Sequence, residues 1–199
     1  LLNPILLTIA PAYHFPEDEN ISYDTYNKGG HLIEFWLKPA VVALGGSFVS
    51  AIGDYQETIA AYPAFTIAGC IVGVISVVLI AKLMGASDEI IYSLAPKSVT
   101  TPIAMEVTKS IGGIPALTAA VVVCVGLLEE PRVQDNETTH IGSPMAQGLS
   151  LGAAAHAVGT STAMDISSKY GAFASLGLTL NGIFTALLTP TILRLLGLL

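Results

Sequence analysis

Lys97, Ser98, Thr100, Thr101 and Glu106 crowd into one short stretch, and Pro96 and Pro102 interrupt the backbone among them. These residue types suit the binding of a small anion. Lysine supplies the charge, hydroxyls supply donors, and backbone N–H groups freed at a helix N-terminus add more. Glu106 adds a group able to take up or release a proton. Apolar runs flank the stretch on both sides. An ordinary membrane helix would not carry two prolines, a lysine and a glutamate so close together. Interrupted backbone at membrane depth is tolerated only where protein or a water-filled cavity covers it. The stretch is therefore expected to line a polar site inside a membrane protein.

A second stretch, His156-Ala-Val-Gly-Thr-Ser-Thr-Ala-Met-Asp165, has the same grammar of small, hydroxyl and apolar residues ending in a carboxylate. Met105 and Met164 are 164 − 105 = 59 positions apart, and the same offset pairs Thr101 with Thr160, Glu106 with Asp165 and Lys97 with His156. Paired Gly/Pro-interrupted segments point to a transporter's binding site. The expected substrate-binding set is Lys97, Ser98, Thr100, Thr101, His156, Thr160, Ser161 and Thr162. Glu106, Asp165 and His156 are expected to couple protons, the imidazole having an ordinary pKa of about 6.5. Pro96, Pro102 and Gly159 are expected to break the helices. Plainer roles stand beside these. Lys97 could snorkel to an interface, Glu106 and Asp165 could sit in water at helix ends, and His156 could pack against a carbonyl. The hydroxyls could serve only to mend backbone bonds.

Half of the 199 residues (52%) are hydrophobic and only 12% are charged, with a mean hydropathy of +0.68. Soluble domains carry about 25% charged residues, so the composition is that of a polytopic membrane protein. A net charge of −7 argues against nucleic acid, which selects basic surfaces. His14, His31 and His140 are scattered without metal-ligand spacing, and no phosphate loop, nucleophile elbow or cysteine pair is present in the sequence. Neither an enzyme nor a metal or cofactor is expected.

The pass along the chain starts with Leu1 to Ala12, which is apolar but short of the roughly 20 residues a crossing needs. Residues 13–31 read as a polar, acidic loop. Residues 32–52 could cross, but Lys38-Pro39 and Gly45-Gly46 interrupt them. Residues 59–84 are the clearest span, with Gly69 and Gly73 spaced for close helix packing. Ser87 is placed to cap a helix beginning at Asp88, which must end before Pro96. Residues 115–128 make a short apolar segment and 129–144 a polar loop. Residues 172–199 are a long apolar run containing Asn181-Gly182 and Pro190. The expected fold is an all-α, polytopic integral membrane protein of one domain over 1–199. It would make about five to six crossings, two of them discontinuous and related by the internal repeat.

The string Pro96-Lys-Ser-Val-Thr-Thr-Pro102, with Ser110-Ile-Gly-Gly-Ile-Pro115, resembles the LrgB/CidB family of membrane proteins. The likeness extends to Leu1-Leu-Asn-Pro, Ile21-Ser-Tyr-Asp-Thr-Tyr, Leu37-Lys-Pro-Ala-Val-Val-Ala-Leu, His156-Ala-Val-Gly-Thr and Gly171-Ala-Phe-Ala-Ser-Leu. Three departures stand out. The family's first hydrophobic helix has no counterpart and is expected upstream of Leu1, Val41–Phe48 lacks an expected proline, and 129–144 is polar where the family continues apolar. The resemblance implies a helical membrane protein whose bacterial relatives are holin/antiholin-type partners affecting murein hydrolase activity, some linked to pyruvate uptake. A plastid relative is a glycolate/glycerate translocator. The leading expectation is transport of small monocarboxylates such as glycolate, glycerate or pyruvate, with protons coupled to it. The alternative is a holin/antiholin-like regulator of cell lysis that acts by oligomerising. Expected partners are the bilayer, a small organic anion, further copies of the chain and a second small membrane protein of the LrgA/CidA type. The expected location is the bacterial inner membrane or an organellar membrane.

Overall fold

The computed structural model describes Thr25, residues 28–30, Phe35, Pro39, the backbone of 61–134 and 143–199, and the side chains of 62–128 and 143–199. The chain divides into two compact units, Leu1–Ala43 and Leu44–Leu199. In the first, the described residues Thr25, 28–30, Phe35 and Pro39 are all helical. Thr25 and 28–30 fall within the expected loop 13–31, because polarity dictates exposure rather than backbone conformation, and Thr25, Lys28 and Gly29 are exposed. The rest of that loop, the segment 1–12 and nearly all of the expected crossing 32–52 lie outside the described residues.

In the second unit the described residues form helices α1 (Ala61–Leu83), α2 (Asp88–Leu94), α3 (Thr101–Ser110), α4 (Pro115–Gln134), α5 (Pro144–Ala154), α6 (His156–Ile166) and α7 (Ser168–Leu195). Prolines start three of them: Pro102, Pro115 and Pro144 occupy the first helical turn, where the missing N–H would have no partner. Pro102 therefore opens α3 rather than breaking a helix. The polar run expected as a loop over 129–144 is helical through Gln134, as suits a Glu- and Arg-containing sequence. Ser87 takes the N-cap position of α2 but its side chain makes no capping bond.

Helix α1 buries Tyr62, Thr66, Cys70, Val74, Val78 and Ala81, a ridge at intervals of three and four residues. Its other faces expose Phe65, Val72, Leu79, Ile80 and Leu83. A helix apolar all round suits a lipid surround. By length and composition, Tyr62–Leu83 and Ser168–Leu195 can each cross a bilayer, and Pro115–Leu128 is a shorter apolar helix. Helices α5 and α6, with 11 residues each, are only about 16 Å long apiece, half the hydrocarbon thickness.

Helix α7 is the spine, in contact with α1, α3, α5 and α6. Its approach to α5 is close enough that side chains are excluded. A Cβ on Gly152 would fall 1.8 Å from the Ala174 carbonyl oxygen, one on Gly177 2.4 Å from that of Leu149, and one on Gly148 2.6 Å from that of Tyr170. Small residues at such crossings replace the hydrophobic drive that lipid removes. Gly69 and Gly73 on α1 have nothing within 4 Å of an added Cβ, so among the described residues they close no helix contact.

Gly152→Leu is expected to lower stability by about 3 kcal/mol, the upper range for overpacking, because backbone rather than a movable side chain blocks it. Gly69→Ala should hold or raise stability, by up to about 1 kcal/mol from helix propensity. Thermal unfolding of the two purified variants in detergent makes the comparison. Equal melting temperatures would disprove the close crossing.

Candidate functional site

Two interruptions define the site. The first is the turn Ala95-Pro96-Lys97-Ser98 between α2 and α3, and Pro96, which has no N–H to donate, follows directly on the end of α2. The second lies at Ala155 and His156 between α5 and α6, where His156 adopts φ +43°. A left-handed histidine costs about 1–3 kcal/mol and persists only where surroundings hold it. Gly159, expected to break this helix, instead lies inside α6. A Cβ on it would meet the Leu151 carbonyl oxygen at 2.4 Å. In a straight helix, eight residues would separate those points by about 12 Å. Helix α6 therefore folds back on α5, and Gly159 permits the contact.

A carbonyl at each interruption is met by one side chain from a distant helix. Asn181 of α7, 3% exposed, donates both of its amide hydrogens: to the Ser98 carbonyl at 2.5 Å and to the Ala153 carbonyl at 2.9 Å. One side chain thus joins the two interruptions. His156, 4% exposed, donates from Nε2 to the Val122 carbonyl of α4 at 2.9 Å. A Cβ on Gly126 would meet that ring at 2.7 Å, so only glycine leaves room for it.

Beside the first interruption lies a cleft of about 350 Å³, at the small end of the range for ligand sites. Lys97, Ser98, Asn181 and Thr185 give it polar groups, while Phe65, Gly69, Cys70, Val74, Ala95 and Ala153 are among its other walls. Lys97 Nζ donates to Ser98 Oγ at 3.1 Å, and Cys70 Sγ shares a hydrogen with Thr185 Oγ1 at 3.4 Å. A cation on a largely apolar wall offers a small anion its one strong attraction, and the hydroxyls and amide can orient it.

Of the expected binding residues, Lys97 and Ser98 line this cleft. Thr100 and Thr101 sit half-buried at the start of α3, and Ser161 is exposed. Thr160 and Thr162 donate to the carbonyls four residues earlier, those of His156 and Val158, at 2.8 and 3.2 Å. Glu106 and Asp165 are exposed. No residue of the second stretch, His156 to Asp165, therefore lines the cleft, which is walled instead by Ala153 and Ala154 at the end of the preceding helix α5.

Sequence reasoning missed Asn181, Thr185 and a buried hydroxyl chain behind the first interruption. Ser93 Oγ donates to the Glu89 carbonyl at 2.6 Å and accepts from the Ile114 amide at 2.7 Å. Thr118 Oγ1 donates to the Ser93 carbonyl at 2.9 Å, which leaves the Thr108 hydroxyl, 2.9 Å away, to donate to Thr118. This chain ties α2, α3 and α4 together. A serine and two threonines in separate helices carry no local signal that they meet.

The family model for the LrgB-like family matches residues 1–195. The chain is 29% identical over 198 residues to the antiholin-like protein LrgB of Bacillus cereus strain B4264, covering 99% of this chain and 86% of that relative. The protein of the same name from Bacillus anthracis strain CDC 684 / NRRL 3495 matches with the same identity and coverage. No solved structure matches the chain. The chain belongs to the LrgB-like family and is an integral membrane protein.

Thr118→Val keeps the shape but removes the donor to Ser93 and the acceptor for Thr108. It is expected to cost about 1–3 kcal/mol, as buried groups left without partners do. Chemical unfolding in mild detergent reads this directly, and an unchanged midpoint would show the hydroxyl chain to be energetically idle.

Proposed function

We propose that the chain acts as an antiholin-like membrane regulator, a brake on murein hydrolase activity and cell lysis. The observation that carries this reading is its end-to-end similarity to proteins named antiholin-like. Such a regulator works by assembly in the membrane, with further copies of itself and with a small membrane protein of the LrgA/CidA type. Helix α1 supports this with an exposed apolar surface that includes Leu79, Ile80 and Leu83. The bacterial inner membrane is the location that fits, or an organellar membrane in a eukaryote.

The cleft favours a second reading, transport of a small monocarboxylate such as glycolate, glycerate or pyruvate. Its basis is Lys97 and Ser98 on the wall of a small, mostly apolar cleft beside two interrupted helices. In this reading Lys97 compensates the carboxylate charge, Thr100, Thr101 and Ser161 add donors along the path, Thr160 and Thr162 contribute only once their hydroxyls leave the His156 and Val158 carbonyls, and Glu106, Asp165 and His156 carry the coupled proton. The two halves would be repeats related by the offset of 59.

Two assays separate the readings. Expressed in a bacterium lacking its own LrgB-type protein, the chain is expected to slow autolysis at least several-fold and weaken murein hydrolase bands in gels. Leu79→Ala with Ile80→Ala, exposed on α1 and away from the cleft, should weaken that effect if the α1 face assembles, whereas Lys97→Ala should leave it intact. In proteoliposomes with an inward proton gradient, the transport reading predicts saturable uptake of labelled glycolate, glycerate or pyruvate that Lys97→Ala eliminates. Normal autolysis in the presence of the chain would sink the first reading, and absence of uptake by folded protein the second.

A further inference from the structure

Asn181 is nearly buried, makes two hydrogen bonds to carbonyls 83 and 28 residues away, and lines the cleft that holds Lys97. The segment it grips is short: Lys97 is one residue from Ser98, whose carbonyl is one of its two acceptors. Ala95 to Ser98 is a turn rather than a helix, so its conformation depends on such external bonds. The other acceptor, Ala153, is the last residue but one of α5, two positions before Ala155 of the second interruption, and also walls the cleft.

A second fastening occupies the matching place. His156 is bonded to Val122, and 181 − 122 = 59, the offset that also separates Lys97 from His156. Each long helix, α4 and α7, thus fastens the interruption that belongs to the other half of the described chain. The two fastenings differ in what lies beside them. His156 is packed against Gly126, whereas the residue 59 positions after Gly126 is Thr185, which lines the cleft together with Lys97.

We propose that Asn181 is a positioning residue for the cleft: by gripping the Ser98 and Ala153 carbonyls together it holds the Lys97 cation on the cleft wall, where it attracts anions. This rests on the reading that the cleft admits a small anion. The Asn181 amide need not touch that anion, because both of its hydrogens are committed to carbonyls.

Cys70 lines the same cleft and reports on it. The chain has two cysteines, and with Cys124→Ser the Cys70 thiol is the only one left. Two methanethiosulfonate reagents of similar size, one carrying a sulfonate and one a trimethylammonium, are reacted with the full chain in membranes. Both transfer the same type of disulfide cap and release methanesulfinate. The ratio of anionic to cationic labelling rate therefore reads the charge felt at the cleft and not merely its openness.

The parent is expected to favour the anionic reagent, and Lys97→Gln to lower the ratio on the order of tenfold. Asn181→Leu, similar in size but without donors, should lower it most of the way while Lys97 is still present. If Asn181→Leu does not elute as the parent does, Asn181→Ser replaces it, since one hydroxyl cannot span both carbonyls. A drop with Lys97→Gln but none with the Asn181 variant overturns the positioning role alone. No drop with Lys97→Gln overturns the anion-cleft reading, and the positioning role with it.

Discussion

Backbone polar groups with no water beside them must find partners inside the protein, and every distinctive feature of this chain answers that constraint. Regular helices satisfy it by themselves. The turn at Ala95–Ser98 and the break at Ala155–His156 do not, and Asn181 of α7 bonds one carbonyl at each, Ser98 and Ala153, while the His156 ring at the second break is anchored to the Val122 carbonyl of α4. The Ser93–Thr118–Thr108 chain does the same at the joint of α2, α3 and α4, where the Ile114 amide precedes Pro115 and finds its acceptor in Ser93 Oγ. Irregular backbone is permitted where these partners stand, and a cleft lies where Asn181 makes one of those bonds.

The partners can act only if the helices come close. Asn181 reaches Ala153 because α5 lies directly on α7, and it lies there because Gly148, Gly152 and Gly177 present no side chain at the crossing. The same glycine logic lets α6 double back on α5 at Gly159 and lets the His156 ring seat against Gly126. In water, burial of apolar surface would draw helices together. Between lipid-facing helices it offers little, so close packing and hydrogen bonds must hold the fold. Glycines and buried polar groups are consequently two expressions of one requirement.

Much of this was legible in the sequence. Pro96 marked the first interruption because proline's effect is local, and the apolar run over 59–84 gave α1 to within two residues at its start. The second interruption was placed too late, at Gly159, because glycine's meaning depends on surroundings: here it relieves a contact rather than a conformation. Asn181 lies within the continuous helix α7, and nothing local marks its role, because its partners are far away in sequence. Thr118 and Ser93 were invisible for the same reason. Local punctuation can be read from one sequence, whereas a contact spanning 83 positions cannot.

The two interruptions are alike in construction and unlike in chemistry. At the first, a flexible ammonium stands on the wall of an open cleft with Thr185 among its neighbours. At the corresponding place in the second, an imidazole is seated in a left-handed conformation against Gly126, its ring hydrogen committed to a carbonyl. Asn181 at one fastening uses a side chain from the long helix, whereas Val122 at the other offers only its backbone, so the short segment must supply the donor. The His156 ring therefore serves as a donor to backbone, whereas Lys97 keeps an ammonium on the cleft wall. A lysine at 156 would bring a charge into a place with room for a flat ring, and a histidine at 97 would leave the cleft without its permanent cation.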